Sequence, residues 1–233
     1  WRGIEVEIRK VSLGEELDFT QADILFLGGG SGKEQNLLME DLSFRAAELK
    51  SAIEDGLVVL AIGGDYQLLG KYYQTGDGQK IPGLGILDIF TVAGDKRLVG
   101  NVITEMDAEL KQAVQENYSG WQGRKFAEES LNTLVGFENH LSKTYLGSDL
   151  KPLGKVLRGY GNNGEDSLEG TRYKNVFTTY LHGPLLPKNP HLADLLLGLA
   201  LRRRGYVFDL LPLEDLLEKA AHNAVISRFK NKK

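Results

Sequence analysis

The stretch LVVLAIGGDYQLLGKYY, Leu57–Tyr73, runs from an apolar strand through two glycines into a predicted helix. A strand, a sharp turn and a helix in this order lift one side chain clear of a parallel sheet, where many α/β enzymes hold a nucleophile. The apex of this turn consists of Gly63, Gly64 and Asp65. The pattern therefore predicts an α/β fold and a turn shaped for a nucleophile, with no hydroxyl or thiol at its apex.

Strands and a helix precede this turn. The segment ADILFLGGG, residues 22–30, is a continuous apolar run that predicts a strand buried on both faces. Lys33–Asp55 carries leucines at helical spacing, and Gly56 follows where a glycine ends a helix. Ile4–Val11 alternates apolar and charged residues, which predicts a strand with one solvated face. Strand, helix and strand with short connections favour parallel pairing with a right-handed crossover.

Later segments continue the α/β pattern less regularly. Two closing helices are predicted at Pro190–Arg204 and Leu213–Phe229. The polar segment Met106–Ser130 is interpreted as a surface insertion with a short helix around Asp107–Glu116. Further strands, separated by glycines, are predicted at residues 84–92, 97–105, 133–139, 154–161 and 174–183.

Length and composition narrow the classes of protein. The 233 residues suit one domain, so we expect a single domain over residues 1–233. The 28 Lys and Arg against 32 Asp and Glu give a net charge of −4, which disfavours binding to nucleic acid or anionic lipid. Apolar runs are far shorter than the roughly 20 residues that span a bilayer, so no membrane span and a soluble protein are expected.

The chain contains no cysteine. Disulfides, thiolate metal sites and a thiol nucleophile are therefore excluded, and no metal is expected. Without disulfides, a cytoplasmic location is favoured.

The glycine run GGGSGKE, residues 28–34, invites comparison with phosphate-binding loops. A nucleotide P-loop needs a glycine and a Ser or Thr at the positions that Leu27 and Glu34 occupy. The dinucleotide fingerprint fails as well, because Lys33 stands where its third glycine belongs. No nucleotide cofactor is expected. The run is either a tight strand-to-helix turn or a loop whose backbone N–H groups point at a ligand oxygen.

His182 follows a predicted strand directly and precedes a Gly-Pro turn. It is either an ordinary polar residue at a strand end or a catalytic base. In doubly wound α/β proteins the ligand crevice lies at the carboxyl ends of the strands, where His182 and the Gly63 turn would meet. A histidine paired with a nucleophile there would be the general base of an acyl transfer. Asp65 is interpreted as the N-cap of a helix over Tyr66–Tyr73, in preference to a catalytic carboxylate.

Six segments resemble one family: AIGGDYQLLGKYY, RLVGN, LVGFENH, TYLG, PLGKVLRGYGNNG and YKNVFTTYLHGPLLPKNPHLAD. From Trp1 to Phe229 the chain is similar to the GatD family, the glutamine amidotransferase subunits of lipid II isoglutaminyl synthase. These are class I amidotransferases of the cobyric acid synthase type. The resemblance implies a flavodoxin-like domain with a mostly parallel central sheet flanked by helices. It also implies a further strand and helix before Trp1, and an unusually long segment at Met106–Ser130.

The resemblance implies a chemistry. In the family a cysteine on the turn attacks the side-chain amide of glutamine, a histidine relays protons, and backbone N–H groups stabilise the oxyanion. Ammonia then passes to a MurT-like ligase, which uses ATP to amidate D-glutamate of the peptidoglycan stem. By position, His182 matches the catalytic histidine and Arg97 the group that holds glutamine. Gly29 or Gly30 would supply one oxyanion N–H and Gly64 the other.

The departure from the family falls on the nucleophile. Gly63 stands where the family has its cysteine, and Pro184 leaves no acid two residues after His182. Because losing a nucleophile costs roughly a millionfold in turnover, we expect glutamine hydrolysis to be lost. Two alternatives remain: a non-catalytic scaffold subunit that stabilises an ammonia-using ligase, or a relative of the cobyrinate amidotransferases.

Overall fold

A computed structural model describes residues 2–30, 32–118, 132–206, 210 and 213–230. Its strands are β1 (Ile24–Leu27), β2 (Val58–Ile62), β3 (Tyr72–Gln74), β4 (Lys80–Pro82), β5 (Ile89–Val92), β6 (Leu98–Met106), β7 (Thr133–His140), β8 (Lys143–Leu146), β9 (Gly154–Arg158), β10 (Leu168–Glu169), β11 (Thr171–Tyr173) and β12 (Val176–Thr179). Its helices are α1 (Gly32–Ser43), α2 (Ala46–Glu54), α3 (Gly64–Leu68), α4 (Ala108–Asn117), α5 (Leu185–Lys188), α6 (Pro190–Arg203) and α7 (Leu216–Lys230).

The sheet that carries the predicted turn is mostly parallel. Its strand order is β1-β2-β12-β11, and β2 pairs in parallel with both β1 and β12. All five residues of β2 are buried, as the run VVLAI requires of a strand covered on both faces. The α/β class and the parallel pairing predicted around Leu57–Tyr73 are confirmed.

Helices cover both faces of this sheet. Val58, Leu60 and Ile62 belong to a cluster formed with α4 and α6. Val59 and Ala61 belong to a second cluster formed with α2. Since successive strand residues point to opposite faces, β2 joins two hydrophobic cores in a three-layer arrangement.

The structure contains two further four-stranded sheets. The sheet β10-β9-β6-β7 is antiparallel throughout, and α7 packs against β6 and β7. The sheet β4-β3-β5-β8 mixes parallel and antiparallel pairs. The five later strands predicted from the sequence are all present, although β5 and β12 are shorter than their apolar segments.

Three predictions near the amino terminus need correction. Ile4–Val11 forms no strand: it has no pairing partner among the described residues, and Ile8 is 84% exposed. β1 is not buried on both faces, because it lies at the sheet edge and Phe26 is 59% exposed. Lys33–Asp55 forms two helices, α1 and α2, whereas Gly56 follows α2 with φ +93° as its predicted stop signal requires.

The segment Met106–Ser130 is only partly described. Its predicted helix is confirmed as α4, and the Asp107 side chain caps it by accepting the Glu109 N–H. Residues 106–118 are not a surface layer, because Met106, Leu110 and Val114 pack in the core. Residues 119–130 lie outside the described residues, and an insertion relative to the family stays a prediction.

None of the helices in the described ranges is long and apolar enough to cross a bilayer.

Candidate active site

The predicted turn after β2 has the backbone of a nucleophile elbow. Gly63 adopts φ +66° and ψ −120°, and α3 begins at the next residue. The Gly63 N–H donates to Thr179 O at 2.9 Å, so the turn is attached to the neighbouring strand β12. This backbone conformation costs a side-chain-bearing residue on the order of 1–3 kcal/mol and is free of that strain for glycine.

His182 faces the apex of this turn. A Cβ atom added at Gly63 would lie 3.0 Å from His182 Nε2. His182 Nδ1 lies 2.6 Å from Tyr180 O, a carbonyl that can only accept, so Nδ1 carries the proton. The lone pair of Nε2 is therefore directed at position 63. The structure brings these two predicted site residues together, so that a side chain at position 63 would contact the His182 ring.

The backbone that carries His182 is held from two sides. His182 exchanges backbone hydrogen bonds with Phe137 of β7. On the other side, Glu169 Oε1 accepts the Thr179 hydroxyl at 2.5 Å and the Tyr180 N–H at 2.9 Å. Burial raises the pKa of Glu169 to about 7, and its hydrogen bonds to Thr179 and Tyr180 oppose that rise. Glu169 thus supports the strand end, while a carbonyl serves as the partner of His182 Nδ1.

Gly63 and His182 open onto a cleft of about 650 Å³. The wall beside His182 includes His140, whose ring stacks on Tyr180 at a centroid distance of 3.8 Å. The Tyr180 hydroxyl accepts from the Gln67 side chain at 3.1 Å. Both rings are ordered by hydrogen bonds, so this wall is preformed.

The glycine run after β1 forms the opposite wall. Gly28, Gly29 and Gly30 all line the cleft. The Gly29 N–H donates to Asp65 Oδ2 at 2.7 Å. The Gln35 side chain donates to Gly30 O at 2.9 Å. This wall is therefore closed by side chains of α1 and α3.

Asp65 does not have the role predicted for it. Gly63 is the N-cap of α3, Asp65 lies in the first turn, and the helix ends at Leu68, well before Tyr73. Asp65 as a residue is 3% exposed, and its carboxylate is directed at Gly29. Burial raises the pKa of this carboxyl, and the Gly29 N–H bond acts in the opposite direction. Asp65 is a bridge between two glycine turns.

Arg97 and Gly64 are the two remaining predicted site residues, and they differ in their surroundings. Arg97 is exposed at the start of β6, and its Nε donates to Asn139 Oδ1 at 2.6 Å. Asn139 lines the cleft, so Arg97 reaches the site through this amide. The Gln35 amide group packs directly on Gly64, at the place that a Cβ there would take.

Sequence reasoning missed Glu169, Tyr180, His140, Asn139 and Gln35. Glu169 and Gln35 carried no signal, because single polar residues are common on short strands and helices. Tyr180 stands two residues before His182 in the predicted strand 174–183, so strand alternation would have placed both on one face and could have found it.

The chain is similar to known glutamine amidotransferases. The family described as the CobB/CobQ-like glutamine amidotransferase domain matches residues 2–190. The GatD subunit of the glutamine-hydrolysing lipid II isoglutaminyl synthase of Staphylococcus aureus is 41% identical over 232 residues, covering 100% of this chain and 86% of that protein. The subunit of the same name from Streptococcus pneumoniae is 36% identical over 219 residues, covering 93% and 76%. A cobyric acid synthase from Pelotomaculum thermopropionicum is 31% identical over 207 residues, covering 86% and 36%.

Proposed function

Because the chain belongs to the CobB/CobQ-like glutamine amidotransferase family, we propose that it is the amidotransferase subunit of a lipid II isoglutaminyl synthase, and that its own glutamine hydrolysis is lost. The two GatD subunits, at 41% and 36% identity over most of both chains, support this assignment. The cobyric acid synthase relative supports it less, since this chain spans only 36% of that protein. The cobyrinate alternative is accordingly the weaker one.

One observation carries the proposal. A Cβ atom built at position 63 would lie 3.0 Å from His182 Nε2, and the residue at that position is a glycine. In an active site of this type, Nε2 removes the proton of a thiol at that position, and the sulfur attacks the glutamine amide carbon. His182 would then return the proton to the departing ammonia, and water would cleave the thioester. Gly63 offers neither sulfur nor oxygen, so the first bond cannot form.

Glutamine binding does not require the missing atom. We assign Arg97 and Asn139 to the glutamine carboxylate, since Asn139 lines the cleft, Arg97 donates to it, and a guanidinium gives charge-assisted hydrogen bonds to a carboxylate. Gly29, Gly30 and Gly64 are assigned to the oxyanion side, and His182 to proton transfer. In this chain the cleft would take up glutamine and release it unchanged.

The partner in this proposal is a MurT-like ligase that amidates D-glutamate of the lipid II stem peptide with ATP. The unaltered chain would stabilise that ligase as a heterodimer while the ligase uses free ammonia. This scaffold role is favoured because Gly63 lacks a nucleophile and Asp65 bonds the Gly29 amide, while the strands around the turn remain paired.

The test compares nitrogen donors. The ligase is purified alone and with this chain, and amidation is measured with glutamine or with ammonium chloride. We expect amidation from ammonium only, with the heterodimer more stable than the ligase alone. Arg97→Ala and His182→Ala should leave assembly unchanged. Glutamine-driven amidation by the unaltered pair would contradict the lost activity, and failure of the two chains to associate would contradict the subunit assignment.

A further inference from the structure

We infer that Asp65 is a second, independent obstacle to glutamine hydrolysis, because its carboxylate occupies the Gly29 amide that a developing oxyanion would need. This inference rests on the proposed function, since it concerns the same site. It predicts that a nucleophile restored at Gly63 is insufficient.

The fold brings the two glycine turns side by side. β1 and β2 pair in parallel with Leu27 opposite Ala61, so their following turns leave the sheet at the same edge. Gly29 has φ +81°, which directs its amide across to the first turn of α3. There Asp65 Oδ2 accepts the Gly29 N–H at 2.7 Å. Asp65 as a residue is 3% exposed, so this bond lies largely out of contact with solvent.

A buried acceptor on Gly29 has two consequences for acyl transfer. The amide is already hydrogen-bonded, and withdrawing one oxyanion donor costs about 10²–10³-fold in turnover. A carboxylate only two residues from position 63 also disfavours a thiolate there, because like charges raise the pKa of an acid. The first consequence holds whether or not Asp65 is ionised, and the second requires its charge.

The reaction to be restored is glutamine hydrolysis. The sulfur of a cysteine at position 63 forms a bond to the amide carbon, and its proton passes to His182 Nε2. The C–N bond then breaks, and ammonia leaves with that proton. Water cleaves the thioester to glutamate and the free thiol, which closes the cycle without any other reactant.

The absence of native cysteine makes the experiment selective, since a cysteine introduced at Gly63 is the only thiol in the chain. Four variants are compared: Gly63→Cys alone, and Gly63→Cys combined with Asp65→Gly, Asp65→Asn or Asp149→Asn. Asp149 is exposed and its carboxylate accepts a hydrogen bond from the neighbouring Ser148 hydroxyl, so it is the matched control for loss of one carboxylate. Thiol pKa is measured on the full chain from the pH dependence of iodoacetamide alkylation. Ammonia release from glutamine is measured in the heterodimer.

Asp65→Gly should lower the thiol pKa by about one pH unit and raise ammonia release about 10²–10³-fold over Gly63→Cys alone. Asp65→Asn removes the charge and keeps an acceptor for Gly29, so it should lower the thiol pKa while leaving ammonia release slow. This variant also maintains the bridge if the glycine variant folds poorly. Asp149→Asn should change neither quantity.

Equal thiol pKa and equal ammonia release with and without Asp65 would overturn the inference. A lowered thiol pKa with no ammonia release from any variant would instead contradict the proposed function, because the electrostatic role of Asp65 would be present in a site that does not process glutamine. The two failures are therefore distinguishable.

Discussion

Two turns lie next to each other at the carboxyl edge of the central sheet, one after β2 and one after β12. Thr179 pairs with Ile62, and the Gly63 N–H donates to Thr179 O, so each turn helps to position the other. The turn after β12 retains its reactive group in His182, with Nδ1 bonded to a carbonyl. The turn after β2 retains only its backbone shape.

The difference shows that the fold maintains the backbone conformation of the elbow and tolerates the loss of its reactive side chain. Strand pairing and burial hold the elbow conformation at Gly63 without help from its side chain, because the hydrogen bond that anchors it is made by the backbone. Glycine even removes the strain of the positive φ angle. A reactive residue at such a position carries a cost in stability that this chain does not bear.

The largest effect is expected in the strand shared by both turns. Phe177 of β12 is fully buried, and Phe177→Ala should lower the free energy of unfolding by about 3–5 kcal/mol through the cavity it leaves. Phe44→Ala is the control, because Phe44 is 83% exposed and its truncation should cost less than about 0.5 kcal/mol. Chemical denaturation measures both. Similar losses in the two variants would show that β12 does not support the turns by packing.

Glu169, which holds the backbone next to His182, should make the free energy of unfolding depend on pH. Burial raises the pKa of Glu169 to about 7, against about 4.3 for a carboxyl of an unfolded chain. Between these values the folded protein binds a proton that the unfolded chain has released, so this residue lowers stability as pH rises from about 4.3 to about 7. Glu169→Gln cannot ionise, and it should remove a slope worth on the order of 3 kcal/mol over that window.

Thermal or chemical unfolding measured at several pH values checks this expectation. The exposed Glu40 provides a control, since Glu40→Gln should preserve the slope of the unaltered chain. A slope that persists in Glu169→Gln would place the responsible proton elsewhere.

At the elbow, Gly63→Ala should lower the free energy of unfolding by about 1–3 kcal/mol. The backbone at φ +66° is strained for alanine, and its Cβ would lie 3.0 Å from His182 Nε2. Chemical denaturation at neutral pH measures the loss. A neutral or stabilising result would mean that the elbow relaxes when its apex changes, contrary to a shape held by the strands.

The smallest effect is expected at a glycine free of both constraints. Gly100 of β6 has open space around a virtual Cβ and no positive φ angle. Gly100→Ala should raise stability by about 0.4–1 kcal/mol, because alanine reduces the conformational entropy of the unfolded chain. Opposite signs at Gly100 and Gly63 in the same denaturation assay would attribute the Gly63 loss to its special geometry. A loss of stability in both variants would contradict that attribution.

Local sequence was sufficient where one pattern admitted one structure. The apolar run of β2 and the glycines after it predicted a buried strand and a turn, and both are present. His182 was predicted at the crevice, since parallel strands end at one edge, and its Nε2 does face Gly63. The spacing of Pro190–Arg204 also predicted α6 almost to its last residue.

Sequence patterns failed where a partner elsewhere in the chain was needed. The alternation of Ile4–Val11 suits a strand, but a strand also needs a neighbour to pair with, and none of the described residues provides one. Asp65 is a residue type that N-caps prefer, yet its carboxylate accepts a hydrogen bond from the N–H of Gly29, which is 36 residues away in the chain. Arg97 reaches the cleft through Asn139, a contact between residues 42 apart in the chain that no local spacing encodes.

Residue types and their order established the α/β class, the position of the turn and the absence of a thiol, because burial and backbone preference act over a few residues. Packing in three dimensions was required for the rest. It aimed His182 at a glycine, set Glu169 behind that histidine and directed Asp65 at the amide of Gly29. Those contacts join residues far apart in the chain, and their energies depend on distance and burial that exist only once the sheet has formed.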